Sequence, residues 1–259
     1  MIFEGIVTHK VPYKERDLIV KLLLRQGLVG SFYIYGGQGG GKKHKPSIFE
    51  LGSMMKIMIK NQKTRSEGSE LMISEEHHRL WEPQSIRHDI RAFYLVCLYF
   101  ELIQKFSLPY HSGSSDLPTN EQEGVFAVVS NALFYIEESL TKKHFIAHQQ
   151  LMLFMVKLLF HLGIMPDTDH CTYCQAGLMN VDSVVFIPAN GQFACEQCSA
   201  GENEKGLLLR IKMGYQTKFQ DYEVLTGTNF HECDKLLQYF CHHYHLRPVD
   251  LKCYSLLFK

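Results

Sequence analysis

The sequence predicts an α+β chain in two parts, a small amino-terminal β-barrel followed by an α-helical body, on three observations. Short apolar runs rich in β-branched and aromatic residues fill the first 80 positions. From Pro83 onward the apolar residues recur at helical spacing. Two Cys-x-x-Cys pairs stand between two of the helical segments. With 259 residues, 46% hydrophobic and 21% charged, the composition is that of an ordinary globular chain with room for two or three compact units.

The strands come first. Residues 2–11, 17–25, 28–35, 53–61 and 70–74 are expected to be extended, separated by polar or glycine-bearing turns. Five strands in so short a stretch fit a closed barrel, because closure removes exposed edges. An OB-type barrel is the leading five-stranded version and an SH3-like barrel its competitor. Helices are expected over 85–107, with Ser85 as N-cap, and over 119–140, where Thr119 and Gln122 have capping-box spacing. A third, 145–162, stops at Gly163 with Pro166 close behind. Residues 207–219, 230–245 and a short tail at 250–258 complete the helical set. The expected organisation is a barrel domain over 1–80 and a helical domain over 81–259, with a four-cysteine, zinc-ribbon-like insertion over 171–198.

Cys171-Thr172-Tyr173-Cys174 and Cys195-Glu196-Gln197-Cys198 lie 20 residues apart. Each pair can turn two thiolates toward one point, and four thiolates close a tetrahedral shell around one zinc ion. Gly177 and Gly191 offer permissive backbone near the two knuckles, and 183–188 reads as a short strand between them. A shell filled by protein leaves no position for water, so the expected Zn2+ is structural rather than catalytic. Disulfides are the alternative for these cysteines. His170 is a weaker ligand candidate. Cys97, Cys233 and Cys241 read as core thiols, although Cys241 and His245, four residues apart, could form half of a second metal site.

The formal charge is zero, but it is unevenly spread. Residues 1–65 hold 12 Lys+Arg against 4 Asp+Glu, and residues 66–259 hold 15 against 23. A basic module on an acidic body points to a polyanionic partner. The candidate nucleic-acid-binding residues are Lys10, Lys14, Arg16, Arg25, Lys42, Lys43, Lys45, Lys56, Lys60, Lys63 and Arg65, which would neutralise phosphates, with Tyr33 and Tyr35 for base stacking. The tyrosines share one strand face, and packing against the helical body is their alternative role. The glycine run from Gly36 to Gly41 followed by Lys42 and Lys43 nearly matches a phosphate loop. Lys43 stands where the magnesium-binding hydroxyl belongs, and Pro46 interrupts the helix that should follow, so a nucleotide hydrolase is the weakest reading.

The start of the chain lacks a basic stretch leading into an apolar one, and the greasiest segment, 151–164, is interrupted by Lys157 and His161. A cytoplasmic protein without a membrane partner is expected.

Several motifs together resemble the RecO family of bacterial recombinational-repair proteins over nearly the whole chain. They are Glu4-Gly5-Ile6-Val7, Glu15-Arg16-Asp17, Gly30, and Gly41-Lys42-Lys43-His44-Lys45 at the amino end. Leu162-Gly163-Ile164-Met165-Pro166 leads into Asp169-His170-Cys171-Thr172-Tyr173-Cys174, and Asn190-Gly191-Gln192-Phe193-Ala194 precedes the second cysteine pair. Leu246-Arg247-Pro248 and Leu251-Lys252-Cys253 resemble the closing motif, with Cys253 where a serine is usual. The resemblance implies an OB-fold domain, a helical domain, and zinc where the cysteines are retained. It implies a non-enzymatic, nucleoid-associated mediator that binds single- and double-stranded DNA and anneals complementary strands. Its implied partners are RecR, the C-terminal tail of the single-stranded-DNA-binding protein, and, indirectly, RecA. From another class, a protein-interaction scaffold whose basic barrel stays idle remains the alternative.

Overall fold

A computed structural model describes residues 1–39, 48–59, 71–110 and 120–258. Strands β1 (Ile2–Tyr13), β2 (Asp17–Leu24), β3 (Val29–Ile34), β4 (Met54–Ile59) and β5 (Leu71–Trp81) close into a barrel in the order β1-β2-β3-β5-β4. All neighbours are antiparallel except β3 and β5, which run parallel from Ser31↔Leu71 to Tyr33↔Ile73. A purely antiparallel meander, as in SH3-like barrels, has no such pair. The barrel is of OB type.

Alternation fills it. Phe3, Val7, Leu18, Val20, Leu22, Leu24, Phe32, Ile34, Met55, Ile57, Ile59 and Met72 point inward, with Phe49 plugging the interior. Gly5 is required where β1 crosses β2, because a Cβ there would stand 2.6 Å from the Leu23 carbonyl oxygen. On the outer face, Ile6 and Leu23 join the core of the helical body. The two parts are therefore in direct apolar contact.

Strand β5 runs on to Trp81, well past the expected end at 74. Its second half carries Glu75, Glu76, His77, His78 and Arg79, so no apolar alternation announces it. Pairing with β4 extends it, His77 opposite Ile57 and Arg79 opposite Met55.

The helices are α1 (Ile90–Phe106), α2 (Asn120–Thr141), α3 (Ala147–His161), α4 (Lys205–Gln216), α5 (Phe230–His243) and α6 (Tyr254–Leu257). The first begins later than expected. Ser85 opens only a 3-10 turn, Ile86–His88, and makes no side-chain cap. Asp89 caps α1 instead, accepting from the Ala92 N–H at 2.9 Å. A carboxylate from α2 holds the intervening turn: Glu137 accepts from the backbone N–H groups of Gln84, Ser85 and Ile86 at 3.0, 2.6 and 3.0 Å. Asp89 is extended, with φ −112° and ψ 115°, which separates this turn from α1. Thr119, the expected cap of α2, lies outside the described residues.

Helix α3 is buried on nearly every side, exposing little beyond His148, Lys157, Phe160 and His161. It is enclosed by α1, α2, α4, α5 and the 3-10 segment Phe219–Val224. Phe154 stacks on Tyr99 of α1, with ring centroids 3.6 Å apart. Gly214 lets α4 approach closely, since a Cβ would meet Val156 at 3.3 Å. The helix ends as expected at Gly163, whose φ of 69° allows the Gly163 and Ile164 N–H groups to reach back to Phe160 and Leu159. At the other end of the body, Asn229 and Glu232 form a complete capping box on α5.

Glu137 joins the connector between barrel and body to α2, so its loss is expected to register in global stability. Glu137→Ala should cost about 1.5–3 kcal/mol in urea unfolding, since three backbone donors lose a charged acceptor. Glu137→Gln should recover part of that loss.

Candidate metal centre and the tyrosine end of the barrel

Between α3 and α4 the chain builds a two-stranded hairpin, β6 (Val184–Ile187) with β7 (Gln192–Cys195). Its turn uses Asn190, whose side chain accepts from the Gln192 N–H, and Gly191 at φ 67°. Gly191 also packs on the Tyr239 ring of α5, where a Cβ would come within 2.3 Å of the ring. Phe186 and Phe193 face each other across the hairpin, with centroids 4.8 Å apart, and seat it against Tyr239.

The hairpin presents Cys195 and Cys198 to the loop carrying Cys171 and Cys174. All four sulfurs lie within 4.8 Å of one another, and those of Cys174 and Cys195 are 3.6 Å apart. Zn–S bonds of about 2.3 Å put the sulfurs of a tetrahedral site about 3.8 Å apart, so the spacing fits such an ion. Two tight turns set the geometry. Gln175 N–H donates to the Cys171 carbonyl at 3.0 Å, and Cys198 N–H to the Cys195 carbonyl at 3.0 Å. The left-handed position in the first turn is Gln175, φ 62°, rather than Gly177. Gly177 instead forms a bridge with His170.

The electrostatics suit a cation. Burial raises the Cys171 thiol pKa, but hydrogen bonds from the backbone N–H groups of Cys174, Cys195 and Tyr173 outweigh it and bring it to about 6. The Cys198 thiol is pushed up to about 12 by hydrogen bonds with Cys174 and Cys195. Four neighbouring sulfurs cannot all ionise unaided, and a divalent cation would let them. Among the described residues the cluster comprises the four cysteines without His170, which is exposed.

The other suggested ligand pair does not form. Helix α5 ends at His243, and His245 adopts φ 55° beyond it, so Cys241 and His245 do not share a helix face. Cys233 and Cys241 are core thiols, and the Cys233 S–H donates to the His148 carbonyl. Glu202, Glu204 and His231 also converge, but Lys235 sits among them, ion-paired with Glu204 and 3.3 Å from Glu202. That grouping is a charge network.

The basic residues divide. Lys14 and Arg16 are exposed in the β1–β2 turn. Lys10 is ion-paired with Glu50 and Arg25 with Glu4, each at 2.7 Å, and the Arg25 guanidinium lies over the Phe126 ring. Lys56 is half-buried on β4, opposite Glu4 of β1 and His78 of β5. Lys42, Lys43, Lys45, Lys60, Lys63 and Arg65 lie outside the described residues.

Tyr33 and Tyr35 lie edge to face, 4.7 Å apart, as one strand face requires. The expectation of two exposed tyrosines is corrected, however. Tyr35 is 64% exposed and Tyr33 only 7%. Tyr33 donates a short hydrogen bond to Asp17, which also accepts from the Gly36 N–H at 2.9 Å. Among the described residues, neither tyrosine joins the core of the helical body. Tyr13 completes the group, 5.6 Å from Tyr33 and 44% exposed, with the Lys14 ammonium over both rings. Tyr13 was not singled out from sequence, because the first strand was expected to end at residue 11, whereas β1 runs on to Tyr13. The turn entering the glycine run is tied to this end: Gln38 N–H donates to the Arg16 carbonyl, and its amide to the Asp17 carbonyl.

A family model described as Recombination protein O C terminal matches residues 117–252, more than half of the chain. The chain belongs to the RecO family. It is 26% identical over 216 residues to the DNA repair protein RecO of Synechococcus sp. (strain JA-2-3B'a(2-13)), covering 76% of this chain and 66% of that relative. The chain thus spans just under two thirds of that protein's length. It is 23% identical over 252 residues to the DNA repair protein RecO of Thermodesulfovibrio yellowstonii, covering 91% of this chain and 89% of that relative. The family match contains both cysteine pairs. Among the described residues, no helix is long and apolar enough to cross a membrane.

The Tyr33 hydroxyl and the Gly36 N–H hold the Asp17 carboxyl below the usual carboxylate range, while Asp17 pushes the Tyr33 phenol up to about 12. A lowered carboxyl contributes stability that is full above its unfolded pKa and is lost as pH falls through its folded one. Tyr33→Phe should therefore move the Asp17 pKa upward in a carbon-13 carboxyl titration. An unmoved value would show that the bond does not hold in solution.

Proposed function

We propose that this chain acts in DNA recombination and repair as a non-catalytic mediator that binds DNA through its barrel and brings complementary strands together. Family membership supports the cellular role. The observation that carries the DNA-binding reading is the end of the barrel where exposed Tyr13 and Tyr35 flank a lysine and an arginine, close in sequence to the lysine-bearing segment 42–45. Cations there neutralise phosphates without reading sequence, and aromatic faces stack unpaired bases of any identity. Annealing needs two polyanionic strands held together with bases free to pair, and no covalent step.

In this reading Lys14, Arg16, Lys42, Lys43, Lys45, Lys56, Lys60, Lys63 and Arg65 supply the cationic surface, with Tyr35 as a stacking group joined by Tyr13. Lys10 and Arg25 contribute less, because each already has a carboxylate partner. Tyr33 acts as a support that orients Tyr35 and fixes the turn at Asp17. The barrel domain over 1–80 would hold DNA, and the helical domain over 81–259 would meet proteins: RecR and the tail of the single-stranded-DNA-binding protein, with RecA loaded indirectly.

Zinc at Cys171, Cys174, Cys195 and Cys198 would act as a structural tie between the α3–α4 loop and the hairpin. When bound it supplies four strong bonds and charge balance for the thiolates. The protein side of the work falls to the backbone N–H groups around Cys171 and to the hairpin that carries Cys195.

Two measurements test the proposal. Replacing Lys42, Lys43 and Lys45 together with Glu should weaken single-stranded-DNA binding and flatten its dependence on salt, because fewer counterions are released. Unchanged affinity at two salt concentrations would overturn the assignment of that loop. Metal analysis should return one zinc per chain, and Cys171→Ser should lose it and lower the melting temperature.

A further inference from the structure

The barrel, α1 and the C-terminal segment enclose a cavity of about 450 Å³ whose chemistry belongs neither to DNA binding nor to the four-cysteine cluster. Thr8 and His9 line it from β1, Cys97 and Glu101 from α1, and Lys252 and Cys253 from the C-terminal segment. Cys97 and Glu101 are one helical turn apart on α1 and face the chain near its end. The Cys253 N–H donates to the Glu101 carboxylate at 3.0 Å, fixing the backbone at Cys253. Cys97 and Cys253 open on the same cavity, with thiols close enough to perturb each other's ionisation, although 155 residues separate them in the chain.

Outside the zinc-type cluster this arrangement is singular. Cys233 and Cys241 are fully buried, and Cys233 donates to a backbone carbonyl. Cys97 is only partly buried and lines the cavity. We propose that Cys97 and Cys253 form a redox-active thiol pair, which a hydroperoxide converts into a reversible disulfide that ties the C-terminal segment to α1.

The roles follow from that proximity. It favours Cys97 as the thiolate and holds the proton on Cys253, whose pKa is raised. Cys97 sulfur attacks the near oxygen of the peroxide, the O–O bond breaks, and hydroxide leaves, giving a sulfenic acid on Cys97. Cys253 sulfur then attacks the Cys97 sulfur; the S–O bond breaks, and the Cys253 proton departs with the leaving hydroxide as water. Both sulfurs are oxidised by one electron each, and the peroxide is reduced by two. A neighbouring resolving thiol is what separates such a pair from an isolated cysteine, which would stop at the sulfenic stage. A disulfide closing so long a loop restricts the unfolded chain strongly, so the oxidised form should melt at a higher temperature.

The experiment treats the full zinc-loaded chain with a small excess of hydrogen peroxide and maps its peptides by mass spectrometry, while a chromogenic chelator follows zinc release. The expected result is a cross-linked peptide pair joining Cys97 to Cys253, lighter by two hydrogens, formed before zinc is lost and removed by dithiothreitol. C253S should leave a sulfenic acid on Cys97 that dimedone traps, and C97S should give no adduct at Cys253. The melting temperature should rise on oxidation and return on reduction. Oxidation confined to the four-cysteine cluster, or Cys97 paired with another cysteine, would overturn the proposal. So would a cross-link that leaves the melting temperature unchanged. The map of the unmutated chain decides the matter even if a variant fails to fold.

Discussion

Helix α3 is apolar on nearly all its faces, and a helix of that kind is stable only when other elements surround it. Much of the architecture can be understood as the enclosure it demands. Helices α1, α2, α4 and α5 supply the walls, and the segment between α3 and α4 must leave and return without disturbing them. The cysteine hairpin makes that excursion compact. It folds back on Tyr239, whose hydroxyl donates to the Ile164 carbonyl just past the end of α3. The four-cysteine cluster is thus tied to the core through Tyr239 together with Phe186, Phe193 and the buried Cys171 and Cys195, and it lies within the long connection between α3 and α4.

The barrel is not an appendage to this body. Ile6 and Leu23 are buried in the helical core, Gln104 of α1 donates to the Thr8 carbonyl, and the segment after α1 bonds to β3 at Val29. Glu137 holds the connector from the other side. These contacts come from separate stretches of the chain and converge on one junction, which the C-terminal segment also approaches. Orientation between the barrel and the helical body is then a property of packing rather than of a linker.

Much of this was legible in the sequence where a pattern is local. The inward-facing β residues, the stop at Gly163 and the four cysteines each carry their signal within a few positions. What was illegible depends on partners far away in the chain. The polar half of β5 is a strand because β4 lies beside it, and the turn before α1 is held by a glutamate some fifty residues later in the chain. Tyr33 has the composition of an exposed aromatic but is buried by its neighbours Tyr13 and Tyr35. Cys97 and Cys253 each read as ordinary apolar-segment thiols until the fold places them in contact. The cationic side chains show the opposite limit: type and position were plain, but nothing in the sequence told which of them, such as Lys10 and Arg25, spend their charge on a carboxylate nearby.

The parallel pairing of β3 with β5 has a kinetic meaning. Every other barrel seam except that between β1 and β4 joins strands adjacent in sequence, whereas this one joins Ser31–Tyr33 to Leu71–Ile73, with all of β4 lying between them in the chain. Contacts so distant must overcome the entropy of closing a long loop before they return any energy, which slows their formation. The β1–β2–β3 meander can form early from local turns, and β5 is then the strand that completes the cylinder. Until it docks, the edge of β3 stays open, so the growing chain carries an unsealed sheet edge until Leu71 and the residues after it have been synthesised.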